Sequence, residues 1–109
     1  MQTASSAENR IFQALADPSR RAIFESLTRG EAAVKDLKAQ FDISQPAISQ
    51  HLAALKDAGL VNNRRQGRLV YYRVEPRGLK PLIDWITHYR AFWTEHIGRL
   101  EKLLETMDE

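Results

Sequence analysis

The chain contains no cysteine, which excludes disulfides, thiolate metal sites and thiol redox switches together. No apolar run approaches the ~18 residues that a spanning helix needs, so no membrane segment is expected. The first seven residues, Met1–Ala7, lack the basic-then-apolar order of a secretory leader. The chain therefore reads as cytoplasmic. Catalytic signatures are missing as well. There is no nucleophile elbow, no glycine-rich phosphate loop and no HExxH pair, and the Ser, His and Asp residues present form no recognisable constellation. The expectation is a protein that is not an enzyme and needs no cofactor.

What remains is ordinary globular material, 109 residues with 43% hydrophobic and 28% charged content. That length suits one domain, with a modest core that gains from a partner surface. The net charge of +2 is unevenly spread. Residues 20–80 hold 12 Lys/Arg against 6 Asp/Glu, whereas residues 81–109 hold 3 against 6. The positive excess lies in the central segment, where a polyanion would be met.

That segment is organised around Val34–Ala58. Val34, Leu37 and Phe41 mark one short amphipathic helix, and Ile48, Leu52 and Leu55 mark a second. Between them, Asp42 is suited to a left-handed turn position, Ile43 can reach the core, and Ser44 is a good N-cap before Pro46 in the first turn. The pattern is a helix-turn-helix. The second helix leaves Gln45, Ser49, Gln50 and Lys56 facing outward. The first three turns of that helix carry no charge. Amide and hydroxyl side chains can read base edges, and a lysine can meet phosphate. His51 is either a DNA contact or a flanking residue packing against the wing segment C-terminal to it.

The elements around this motif are also legible. Residues 1–7 read as a flexible tail ahead of a domain over 8–109. Glu8–Ala16 reads as a helix with Ile11, Phe12 and Leu15 at helical spacing. Asp17-Pro18 opens another, to about Thr28, with Ile23 and Leu27 inward and Gly30 closing it. Arg20 and Arg21 are expected in surface or intramolecular ion pairs rather than on DNA. Ala32–Val34 suits a short strand. After Gly59, Leu60–Val61 and Leu69–Val74 form two extended runs around a basic tip holding Arg64, Arg65, Gln66, Gly67 and Arg68, a wing-type hairpin. Three arginines within five residues beside a helix-turn-helix point to the nucleic-acid backbone. Finally, Leu79–Met107 reads as one long helix. Its apolar positions Leu79, Ile83, Ile86, Trp93, Ile97, Leu100, Leu104 and Met107 ask for a partner helix.

The runs Ala14–Ile23, Ile43–Leu52, Leu55–Val61 and Gly67–Arg73 together resemble the ArsR family of bacterial winged-helix repressors, over nearly the whole chain. The resemblance implies a mainly α winged helix-turn-helix with a small β-hairpin, forming a homodimer through its first and last helices. On such an interface it places Phe12, Leu15, Ile86, Trp93, Ile97, Leu100 and Leu104. It implies transcriptional repression, with double-stranded DNA bearing an inverted-repeat operator as partner. Ser44, Gln45, Pro46, Ser49, Gln50, His51 and Lys56 would then face DNA from the second motif helix, and Arg64, Arg65, Gln66 and Arg68 from the wing.

Metal-responsive members of that family carry paired cysteines around the first motif helix, where this chain has Ala33 and Lys35. A second family site uses carboxylates and imidazoles of the last helix. Here Asp84 and His88 could share an ion, whereas His88 and His96 lie ~12 Å apart along a helix axis. Zinc would want four placed ligands. No metal is expected, and no small-molecule effector is identified. The alternatives are a metal-responsive repressor using Asp84, His88 and His96 across the dimer, or a winged-helix module that binds protein. An arginine-rich wing speaks against the second.

Overall fold

A computed structural model describes residues 6–107. The order is α1 (Ser6–Ala16), α2 (Pro18–Leu27), β1 (Ala32–Ala33), α3 (Val34–Gln40), α4 (Gln45–Asp57), β2 (Val61–Gln66), β3 (Leu69–Val74), a 3₁₀ turn (Pro76–Leu79), α5 (Lys80–His88) and α6 (Arg90–Met107). The fold is mainly helical, with one antiparallel sheet in the order β1-β3-β2. Among the described residues, no helix is long and apolar enough to cross a membrane. Ser6 and Ala7, expected in the flexible tail, belong to α1, while residues 1–5 of that tail lie outside the described residues.

Local chemistry sets most boundaries. Asp17 caps α2: its Oδ1 accepts the Arg20 N–H at 3.0 Å, and Pro18 opens the helix. Ser44 caps α4, its Oγ accepting the Ala47 N–H at 3.2 Å. In α3 the cap works in reverse, with the Ala33 N–H donated to Asp36 Oδ2 at 3.3 Å. The turn between α3 and α4 needs no left-handed residue, contrary to the expectation for Asp42. Phe41 is extended at φ −116° and ψ 136°, and no described residue other than glycine has positive φ.

One core joins the motif to its supports. Ile11 and Ala14 from α1, Ile23, Phe24 and Leu27 from α2, and Leu37 from α3 meet Ile48, Leu52 and Leu55 from α4, with Leu60 and Val61 beyond. Ile43 packs against this core from the turn, as anticipated. Seven of these side chains are essentially sealed from solvent, so α4 is held rigidly along its inner face.

The C-terminal segment differs from the single helix expected over 79–107. It is two helices meeting at Tyr89, whose φ of −102° and ψ of 16° interrupt the ladder. The bend coincides with an aromatic cluster. Trp85 meets Phe12 of α1 edge-on at 5.6 Å, and also packs with Tyr89 and Trp93. Eight residues span ~12 Å along a straight helix, yet the Trp85 and Trp93 ring centroids stand 6.3 Å apart.

Candidate nucleic-acid interface

Helix α4 buries Ile48, Leu52 and Leu55 completely, which forces the opposite face outward. Gln45, Pro46, Ser49, Gln50 and Lys56 are all exposed. Gln45, Ser49 and Lys56 follow helical spacing down one flank, with Pro46 and Gln50 on the next. Asp57 is exposed near the C-terminal end of the same helix. Its charge disfavours a polyanion there and leaves the N-terminal half as the polar, uncharged reading surface. Ser44, though exposed, already uses its hydroxyl oxygen as the cap acceptor.

His51 is half-buried, and its partner is neither of the two expected. Its Nδ1 accepts a long bond from Arg20 Nε at 3.4 Å, joining α4 to the N-terminal turn of α2. Asp17 lies in the same cluster. The hydrogen bond from the Arg20 backbone is the main cause that holds its carboxyl below the usual range, with the Arg20 charge adding to it. Arg21 donates from Nη1 to the Leu15 carbonyl at 2.7 Å. Both arginines therefore bond within the fold, but to an imidazole and a carbonyl rather than in the ion pairs expected. No local signal links His51 to Arg20, 31 residues earlier.

The hairpin stands beside α4, tied to it by Lys56 Nζ donating to Asn63 Oδ1 at 3.3 Å. Its strands pair from Val61↔Val74 to Gln66↔Leu69, leaving Gly67-Arg68 as a two-residue loop. Gly67 has φ +64°, at the first loop position, which type II′ hairpins reserve for glycine. The three arginines are not equivalent. Arg64 is held by Glu31, whereas Arg65 and Arg68 are exposed and have no ion-pair partner among the described residues. Successive side chains on a strand face opposite ways, so Arg64 and Arg65 address different sides of the ribbon. Gln66 accepts from Arg64 Nη1 at 2.6 Å.

Residues 17–63, spanning α2 through the first half of β2, match the family described as bacterial regulatory protein, arsR family. The chain is 41% identical over 98 residues to the HTH-type transcriptional regulator Rv2034 of Mycobacterium tuberculosis, covering 90% of this chain and 89% of that one. The chain belongs to the ArsR family. Another relative, the transcriptional repressor SdpR of Bacillus subtilis, is 36% identical over 81 residues, covering 74% of this chain and 90% of the other. The crystal structure of an ArsR family transcriptional regulator, RHA00566, superposes with a TM-score of 0.74 at 34% identity, over 86% of this chain and 97% of that one. The protein is thus a winged helix-turn-helix transcriptional regulator rather than an enzyme.

The potential ligands of the C-terminal helices are otherwise engaged. Asp84 pairs with Lys80 at 2.8 Å, His88 sits edge-on to Tyr89, and His96 Nδ1 lies 2.9 Å from the Phe92 carbonyl. Among the described residues of one protomer, no three His, Cys, Asp or Glu side chains gather where they could hold a metal ion. The residues assigned to a dimer interface lie mostly bare: Phe12, Ile86, Trp93, Ile97, Leu100 and Leu104 are exposed, and Leu15 is half-buried against the core.

Proposed function

We propose that this ArsR-family regulator is a homodimeric repressor of its own or a neighbouring operon. Each α4 enters a major groove of an inverted-repeat operator, and each wing lies on the flanking backbone. The observation that carries this reading is the outer surface of α4. Its inner face is fixed by three fully buried side chains, while Gln45, Ser49 and Gln50 present uncharged donors and acceptors. The open cations Arg65 and Arg68 stand on the adjoining hairpin. Such a surface divides recognition in two, with base edges read by amides and hydroxyls and backbone charge met by guanidinium groups. The name of the Bacillus subtilis relative supports repression.

The two halves separate experimentally. Arg65→Ala and Arg68→Ala should weaken binding to every duplex, each flattening the dependence of log K on log salt by about 0.9 per wing. Gln45→Ala should instead change which sequence is preferred, costing about 1–3 kcal/mol of discrimination at its base pair. Sequencing genomic fragments retained by the purified protein supplies the duplex, and fluorescence anisotropy measures both effects. A Gln45→Ala protein with undiminished preference for that duplex over random DNA would place the reading surface elsewhere.

A further inference from the structure

Arg64 differs from its neighbours in being held at all three of its guanidinium nitrogens. Its guanidinium crosses the sheet from β2, over the Tyr71 ring of β3 at 4.9 Å, to the carboxylate of Glu31 just before β1. Nε donates to Glu31 Oε2 at 2.9 Å, Nη2 donates to Oε1 at 2.8 Å, and Nη1 donates to Gln66 Oε1 at 2.6 Å. All three guanidinium nitrogens are engaged, one face is covered by an aromatic ring, and the charge is matched by a carboxylate in fork geometry. The Arg64 bond also holds the Glu31 carboxyl below the usual range, so the pair is charged at neutral pH.

We propose that Glu31 masks Arg64 from DNA phosphate and so limits how strongly the wing holds duplexes of any sequence. The inference rests on the wing lying on the backbone, as proposed above. A guanidinium that keeps its carboxylate displaces no condensed counterion, so it adds nothing to the sequence-independent part of binding. That part is shared by every competing site, whereas the contacts of α4 are not. Glu31 is therefore a specificity-determining residue that touches no base. It removes one cation per wing from the non-specific term while Arg65 and Arg68 stay available.

The test is a cycle of Glu31→Gln, Arg64→Ala and the double variant. Each is titrated onto a labelled random duplex by anisotropy between about 50 and 200 mM salt. Glu31→Gln should tighten random-DNA binding and steepen the salt slope by about 0.9 per wing. Arg64→Ala alone leaves Glu31 unpaired and should weaken binding, whereas the double variant, which carries neither charge, should keep the wild-type slope. An unchanged slope for Glu31→Gln would overturn the proposal, as would a flattened slope for the double variant. The pair is partly exposed, with side-chain exposures of 43% for Arg64 and 31% for Glu31, and circular dichroism checks that each variant folds. The double variant stands by itself as a test even if Glu31→Gln alone does not fold. Arg65→Ala with Arg68→Ala is the reference: if that pair also leaves the slope untouched, the wing itself is off the DNA. If it flattens the slope while Glu31→Gln changes nothing, only the masking fails.

Discussion

Asp17 and Glu31 are surface carboxylates with one property in common: each is held ionised by a hydrogen bond that folding supplies. For Asp17 the donor is the Arg20 backbone N–H, and for Glu31 it is the Arg64 guanidinium. Both folded-state values are depressed, so the stability these groups contribute is complete above the ordinary carboxylate range. It is lost as pH falls through the lowered folded-state values. The melting temperature should be insensitive to these two groups from about pH 8 to 5 and should decline in acid. Asp17→Asn keeps a capping oxygen and Glu31→Gln keeps a polar side chain. The double variant should therefore show a shallower acid decline by differential scanning fluorimetry. An acid limb identical to the wild type would show that neither carboxylate feels the fold. The same scale exposes a limit of reading residues from the chain. Arg64 looked like its two neighbours because sequence proximity made all three arginines seem to share a task. Glu31, which separates them, lies 33 positions away.

At the scale of elements, the critical joint is where α4 ends. Leu60 N–H donates to the Leu55 carbonyl and Gly59 N–H to that of Lys56, both at 2.9 Å, with Gly59 at φ +80°. This is a Schellman closure with Leu55 and Leu60 both sealed in the core. The 3₁₀ turn before α5 presses on that corner. A Cβ at Gly78 would run into the Gly59 carbonyl group. Gly78→Ala must push the turn away from the recognition helix, at a cost of about 1–3 kcal/mol or more. Gly98→Ala, whose Cβ meets nothing within 4 Å, should instead raise stability by up to about 1 kcal/mol. Chemical denaturation of the two variants compares them, and equal effects would mean that the Gly59–Gly78 approach does not matter. The same elements explain what was legible. Asp17-Pro18, Ser44 with Pro46, Gly59 and Gly67 are local signals, and each acts on the backbone within a few residues of itself. The bend at Tyr89 has no such signal, since neither Pro nor Gly lies beside it, and the polar Arg90 that interrupts the apolar spacing there does not by itself end a helix. It coincides with Trp85 packing on Phe12, a contact that exists only once α1 and α5 have met. The polar surface of α4 was readable because its buried spacing was. The partners of His51 and Arg64 were not, because both come from distant parts of the chain.

As a whole molecule, one protomer is longer than its own core can support. Its radius of gyration is 17.7 Å and its longest extent 57 Å, against about 13 Å of gyration for a compact chain of this size. The excess is α6, ~27 Å of helix in which every residue is exposed. A helix of 18 residues is marginal in water without an apolar face to bury. This one leaves Ile97, Leu100, Leu103 and Leu104 half open, at 51%, 53%, 56% and 50%. Its polar side is settled separately by the Arg99–Glu95 pair at 2.9 Å. Such a stripe asks for a second copy, in which Ile97 would meet its symmetry mate or a near neighbour. Ile97→Glu would then bury carboxylates with no partner, an unfavourable change of several kcal/mol, whereas Arg99→Glu on the polar side would not. Sedimentation equilibrium should find the first variant monomeric and the second dimeric. The monomer should retain the fold of α1–α4, because α6 contributes nothing to that core. Its operator affinity should nevertheless collapse towards that of a single half-site, since the second α4 is no longer delivered at high effective concentration. An Ile97→Glu protein that sediments as a dimer and keeps full operator affinity would move the dimer interface off α6.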